Sequence, residues 1–270
     1  MLEIKKLETT STLSALKAEY FSHTTAPLDG MWHFGFAPMA QHFGFYEHDQ
    51  LVGFCCINSE GYLLQYYLSP HATTSADDLF ALIAQDNSNV IGAISGAFVS
   101  TCDLKFLSMC LDNNTSVKVN ALMYCGIHEA PSKAANLSLV EASEDQLDIF
   151  VDFAAHAIGA PKEWLTSYFG HLIARQELFG YWEEGQLVAS GECRKFDEHQ
   201  TEYADLGIIV SPDYRGQGVA TEVLRALTLR ATSQGLTPMC STEKTNIAAQ
   251  KAIAKAGLLT DHRLLQVEFK

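Results

Sequence analysis

The feature that most constrains this chain is that one run of elements is written in it twice. "HDQLVGF" at 48–54 is answered by "EGQLVAS" at 184–190, and "YYLSP" at 66–70 by "IIVSP" at 208–212. In each half a hairpin leads into a strand, stops at Ser-Pro and gives way to a helical pattern. A repeat of this kind points to a duplicated domain. The first half continues with a helical stretch at 75–86, a strand at 89–99, a short helix at 102–112 and a closing strand at 116–128. The second half opens with a strand at 136–143, then two helices at 144–159 and 161–177. Strands follow at 177–185, 186–196 and 201–212, then a helix, a strand, a helix and the closing strand "RLLQVEFK". The expectation is α/β (α+β) in tandem, each domain a mostly antiparallel mixed sheet flanked by helices. The domains are expected at 1–130 and 137–270, joined by the polar linker "EAPSKAAN" at 129–136.

Length and composition allow this. With 270 residues, 47% hydrophobic and 19% charged, there is material for two cores. The N-terminus has no apolar segment behind its lysines and no run is long enough to span a bilayer, so a cytoplasmic protein without a membrane partner is expected. A net charge of −14 argues against nucleic acid as a partner, because phosphate neutralisation needs clustered Lys and Arg. The same charge favours a cationic or amine-bearing partner. Seven cysteines without a CxxC pair fit reduced, buried thiols. The histidines lack ligand spacing, so no metal is expected. Either a monomer or a homodimer fits the sequence.

Leu206–Val210 is continuously apolar, as a central strand would be. Ser211-Pro212 ends it, and Val219, Val223, Leu227 and Ala231 then recur at helical spacing. Gly216 and Gly218 therefore stand where a strand hands over to a helix N-terminus. Unpaired N–H groups and the helix dipole favour an anion there. No Gly-Lys-Ser/Thr closes the loop, so it is not a P-loop. Thr221 stands where a dinucleotide fingerprint has its third glycine. The first half has "HATTSA" at 71–76 instead, with neither glycines nor arginine. All six arginines lie at or beyond Arg175.

The stretch Arg215-Gly216-Gln217-Gly218-Val219-Ala220 resembles the pyrophosphate loop of the GNAT superfamily of acyl-CoA-dependent N-acyltransferases. Asn246 at the start of a helix that ends in Lys255-Ala-Gly257-Leu258 resembles that family's second signature. The resemblance covers most of 137–270. It implies two GNAT-like domains, the first a degenerate copy without an intact CoA loop. It implies acetyl-CoA as acyl donor, its pantetheine arm in a V-shaped slot beside Ile208, Ile209 and Val210. Its pyrophosphate would rest on Gly216, Gln217, Gly218, Val219, Ala220 and Thr221, with Arg215 as a charged donor and Asn246 as a further contact.

The activity implied is N-acetyl transfer to a primary amine, of a small molecule in the first instance, by direct attack in a ternary complex. Asp205 is the first candidate for the base and Glu243 the second, with Glu192, Glu202 and His262 also within reach of the reading. Trp164 and Tyr168, with Phe169 and His171 on the same helix, are candidates for the acceptor wall. Ile253 stands where the family often has a proton-donating tyrosine. That departure keeps a non-catalytic acyl-CoA-binding or sensor module, or a purely structural double domain, open as alternatives. The aromatic stretch Gly30–Phe36 reads as a loop that packs on a core or folds over the second domain's cleft.

Overall fold

The computed structural model describes residues 2–127 and 136–269, so the linker falls outside the described residues except for Asn136. The chain separates into two compact units. Unit 1 is Met1–Leu122 with His262–Lys270, and unit 2 is Met123–Asp261.

Unit 1 runs β1 (Leu2–Leu7), α1 (Ser14–Ser22), a π-helical turn Trp32–Phe36 and the single turn α2 (Ala37–Met39). It continues through β2 (Gln41–Glu47), β3 (Gln50–Ile57), β4 (Tyr62–Leu68), α3 (Ala76–Ala84), β5 (Gly96–Ser100) and α4 (Leu104–Asp112), and enters β6 (Ser116–Cys125). Unit 2 takes the end of β6, then β7 (Val140–Glu141), α5 (Leu147–Ile158), α6 (Lys162–Ala174), β8 (Leu178–Glu183), β9 (Gln186–Lys195) and β10 (Tyr203–Val210). After these come α7 (Val219–Ser233), β11 (Thr237–Glu243) and α8 (Ile247–Ala256). The last strand, β12 (His262–Glu268), returns to unit 1.

The repeat seen in the sequence is a repeat of geometry. In unit 1 the strand order is β1-β2-β3-β4-β5-β12, and in unit 2 β11-β10-β9-β8-β7. Within each, the pairings with a recorded direction are antiparallel except one: β4 with β5, and β10 with β11. The two aligned hairpins turn alike. His48 and Asp49 have φ of 50° and 64°, and Glu184 and Gly185 have 50° and 79°. Two consecutive positive φ values are the type I′ turn, whose twist matches that of the strands it joins.

Three expectations need correction. The closing strand at 263–270 does not belong with the second half. It pairs antiparallel with β5 from Leu264↔Ser100 to Glu268↔Gly96 and buries Leu264, Val267 and Phe269 in unit 1. Conversely, the closing strand of the first half ends in unit 2, where Cys125 N–H donates to Leu259 and Gly126 N–H to Pro238. The strand expected at 136–143 is only the two residues of β7, because Ser143 and Gln146 form a capping box that starts the next helical turn at once.

Each unit has its own core. Phe45, Phe80, Leu63 and Val267 centre the first, and Phe150, Leu165, Phe169 and Leu178 the second. Gly191 of β9 lies under α7, where an added Cβ would stand 3.1 Å from Val223 Cγ1. This close approach seats α7, and with it the loop that precedes it.

Candidate active site in unit 2

The parallel pair β10–β11 stays in register only from Tyr203↔Thr237 to Asp205↔Met239, although β10 runs on to Val210 and β11 to Glu243. β10 keeps its antiparallel ladder with β9 all the way, from Ala204↔Lys195 to Val210↔Ala189. The two parallel strands therefore fork at Asp205. Beyond that vertex one edge of β10 has no ladder partner among the described residues, and Ile208, Ile209 and Val210 are only half-buried. An extended chain with amides can add itself to such an edge.

The loop lies at the open end of the fork. Ser211-Pro212 starts a 3₁₀ turn, Gly216 and Gly218 take φ of 78° and 88°, and α7 begins at Val219. A Cβ on either glycine would meet nothing within 4 Å, so these glycines are required by their backbone angles and leave open space on the loop. The N–H groups of Gly216, Gln217, Gly218, Val219 and Ala220 have no acceptor among the described residues. The N–H of Thr221 is engaged with the Gly218 carbonyl at 3.0 Å, so it is not among the open donors. Five consecutive N–H groups at a helix N-terminus make a seat for an anion. Arg215 also contacts the chain itself. Its guanidinium donates to the carbonyls of Val210 (3.3 Å) and Ala157 (2.8 Å), tying the loop to the last turn of α5. Asn246 caps α8, its Oδ1 accepting from Ala249 N–H at 3.1 Å. Gly257 ends the helix at φ 98°.

At the closed end of the fork a buried polar cluster faces α6. Arg194, directly across from Asp205 in the ladder, forms an ion pair with it and reaches Glu192 Oε2 at 3.3 Å. Tyr168 of α6 donates its hydroxyl to Glu192 Oε2 at 2.7 Å and accepts from Arg194. Trp164, one turn earlier, stacks on Tyr168 with ring centroids 4.8 Å apart and 11° between planes. Two carboxylates thus share one guanidinium. Burial works against the charge on Arg194, but Asp205 and Glu192 more than offset it and raise its pKa. Burial, reinforced by Glu192, pushes the Tyr168 phenol well above its ordinary value, so it remains a hydrogen-bond donor.

The structure sorts the carboxylates named from the sequence. Asp205 and Glu192 meet at the vertex, and Gly207 leaves room for Glu192, since a Cβ there would lie 2.8 Å from Oε2. Glu243 is four residues beyond Met239, roughly 13 Å along β11 toward the loop end, exposed, and accepts from Thr245 Oγ1 at 3.3 Å. Glu202 is exposed before β10, and His262 belongs to unit 1. Arg194 went unread in the sequence. Its signal was the alternation Ser190, Glu192, Arg194 within an apolar strand, which puts three polar side chains on one face. Ile253 is buried in α8 and offers no proton donor.

Comparison with known proteins fits this geometry. The model of the Acetyltransferase (GNAT) family matches residues 143–258, and that of an Acetyltransferase (GNAT) domain matches 9–126. The structure of an acetyltransferase from the GNAT family of Colwellia psychrerythraea is 56% identical, covers 99% of this chain and 100% of its own, and superposes with a TM-score of 0.95. The chain belongs to the GNAT acetyltransferase family. Two more distant structures share its fold across both units. A tandem GNAT protein from the clavulanic acid biosynthesis pathway has 15% identity, a TM-score of 0.65 and coverage of 100% and 98%. A GCN5-related N-acetyltransferase from Sphaerobacter thermophilus has 11% identity, a TM-score of 0.66 and coverage of 99% and 95%. A search of curated proteins gives no match.

The family uses acetyl-CoA, and the residues of unit 2 fit it: a forked strand edge for an amide-bearing arm, and open N–H donors for a pyrophosphate. Among the described residues no cluster of three or more His, Cys, Asp or Glu is arranged to hold a metal, and no helix is long and apolar enough to cross a membrane.

Proposed function

We propose that unit 2 transfers an acetyl group from acetyl-CoA to the primary amine of a small molecule, by direct attack within a ternary complex. The observation that carries this reading is the row of five N–H groups, Gly216 to Ala220, that have no acceptor among the described residues and lie at the open end of the β10–β11 fork. Acetyl-CoA supplies a thioester carbonyl with a thiolate leaving group. The loop holds its pyrophosphate, the free edge of β10 at Ile208–Val210 holds its amides, and Asn246 closes the far side from the start of α8. This polarity puts the acyl end near the vertex at Asp205, and Glu243 with the phosphate end. The β10 edge beyond Asp205 offers backbone N–H groups to the developing oxyanion.

Glu192 is the carboxylate that accepts the amine proton, directly or through water. Asp205 holds Arg194, and Arg194 and Tyr168 orient Glu192, which makes these three positioning residues. Trp164 and Tyr168 form the acceptor wall. An acceptor that arrives as a cation is favoured by two carboxylates sharing one guanidinium, and by the net charge of −14.

Calorimetry with acetyl-CoA, followed by release of free CoA thiol across a panel of amines, tests the reading. Native protein is expected to bind and to release thiol. Gly218→Val obstructs the seat and forces a β-branched residue to positive φ. Losing two charge-assisted hydrogen bonds costs about 3 kcal/mol, or about hundredfold in affinity. Absence of binding by native protein would sink the acyl-donor reading. Binding without thiol release would instead leave an acyl-CoA-binding module.

A further inference from the structure

Unit 1 carries the same fork and the same strand-to-helix loop, and both are filled by the chain itself. Its parallel pair β4–β5 is in register only at Tyr62↔Gly96 and Leu63↔Ala97, so the strands part at Leu63 as β10 and β11 part at Asp205. The next residue on each arm touches Trp32. The indole Nε1–H donates to the Leu64 carbonyl at 3.0 Å, and the ring meets Phe98 edge-on with centroids 5.8 Å apart. An N–H donor on the first carbonyl past the vertex is what an amide-bearing arm would supply there. Trp32 comes from the π-helical turn Trp32–Phe36, a rare widened turn that is frequent at functional sites.

The loop before α3 is satisfied in the same way. Glu47, the last residue of β2, accepts four hydrogen bonds from two consecutive residues. Thr73 gives its N–H at 2.9 Å and its hydroxyl at 2.8 Å, and Thr74 its N–H at 2.8 Å and its hydroxyl at 2.6 Å. Those N–H groups belong to the loop that lies between β4 and α3, as the open donors of unit 2 lie between β10 and α7. The residue aligned with Glu47 in the repeat is Glu183, which accepts instead from Tyr181 of its own strand.

We propose that unit 1 is a self-liganded acyl-CoA fold. Trp32 stands in the strand fork for the pantetheine arm, and the Glu47 carboxylate stands on the loop for the pyrophosphate, so the chain has one acyl-donor site, in unit 2. Loss of the loop glycines explains only why a phosphate would fit poorly. The filled fork and filled loop explain how a strand edge and a loop of N–H donors, which would otherwise need solvent or ligand, remain satisfied inside a folded unit.

The test is hydrogen exchange on the full chain, read residue by residue by NMR, with and without acetyl-CoA. Without it, the Thr73 and Thr74 amides and the Trp32 indole N–H are expected to exchange at least about tenfold more slowly than the amides of Gly216 to Ala220. Adding acetyl-CoA is expected to slow the Gly216–Ala220 group and to leave the three unit 1 protons unchanged. In Glu47→Ala, Thr73 and Thr74 lose that protection by about tenfold or more while thiol-releasing activity is retained. Fast exchange at these protons in native protein, or their slowing by acetyl-CoA, would overturn the proposal. Its failure is distinguishable from that of the donor reading. If no proton in either unit responds to acetyl-CoA, the donor reading falls, while slow exchange at Thr73, Thr74 and Trp32 still supports internal occupancy. Should Glu47→Ala fail to fold, Glu47→Gln keeps the shape, removes the charge and is expected to speed exchange at Thr73 and Thr74 in the same direction.

Discussion

A single missing methyl group leaves room for the carboxylate that we propose as the base. Gly207 stands across the ladder from Glu192, and a Cβ there would lie 2.8 Å from Oε2 and 3.0 Å from Cδ. Gly207→Ala should therefore displace the carboxylate without deleting it. Both Gly207→Ala and Glu192→Gln are expected to lower kcat, the second by about a hundredfold or more as for loss of a general base. The affinity for acetyl-CoA should hold in both, because the loop and the outer part of the fork are untouched. Glu243→Gln should change neither. Steady-state kinetics with calorimetry separates the two effects, and full activity in Glu192→Gln would remove Glu192 from the mechanism. The glycines of "RGQGVA" were legible in the sequence because their requirement is local, a positive φ beside a helix start. Glu192 was legible only as one of several candidate bases, and the contacts of Arg194, Trp32 and Glu47 were not legible at all, since each depends on a partner brought near only by the fold.

Elements of one type can be read alike in sequence and differ in what completes them. The strand, Ser-Pro stop, loop and helix were visible in both halves, and both form. What the pattern could not carry is the partner of each loop: open donors in unit 2, a carboxylate from a neighbouring strand in unit 1. That carboxylate has a pH signature. The hydroxyl of Thr74 above all, then the N–H of Thr73, pull the Glu47 pKa from 4.5 to about 2. A depressed acid stabilises the fold fully above its unfolded pKa, and this contribution fades as pH falls from 4.5 toward 2. Native protein should thus melt higher than Glu47→Gln at neutral pH, and the gap should close through that window. Carboxylates common to both proteins cancel in the difference. A gap that is constant with pH would mean that the ionised form of Glu47 contributes nothing.

At the scale of the whole molecule, the duplication predicted two domains and the structure has two units, yet the chain is divided between them differently from the sequence pattern. The repeat is periodic in elements, so it assigns each closing strand to its own half. Pairing is decided by which edge a strand fills, and alternating apolar residues look the same whichever edge receives them. In the structure β12 completes unit 1, with Val267 fully buried opposite Ala97 in its core, 157 residues in sequence from Cys110, the nearest buried member of that core preceding β12. A cavity left at Val267 should therefore weaken unit 1, not the unit whose chain leads into the strand. Val267→Ala is expected to destabilise unit 1 by about 2 kcal/mol. Hydrogen exchange locates the loss: amides of β4 and β5 should open more readily, while those of β9 and β10 keep native protection and acetyl-CoA affinity is retained. If the loss fell instead on β9 and β10, the C-terminal strand would have to be stabilising the second unit, and the division of the chain described above would be wrong.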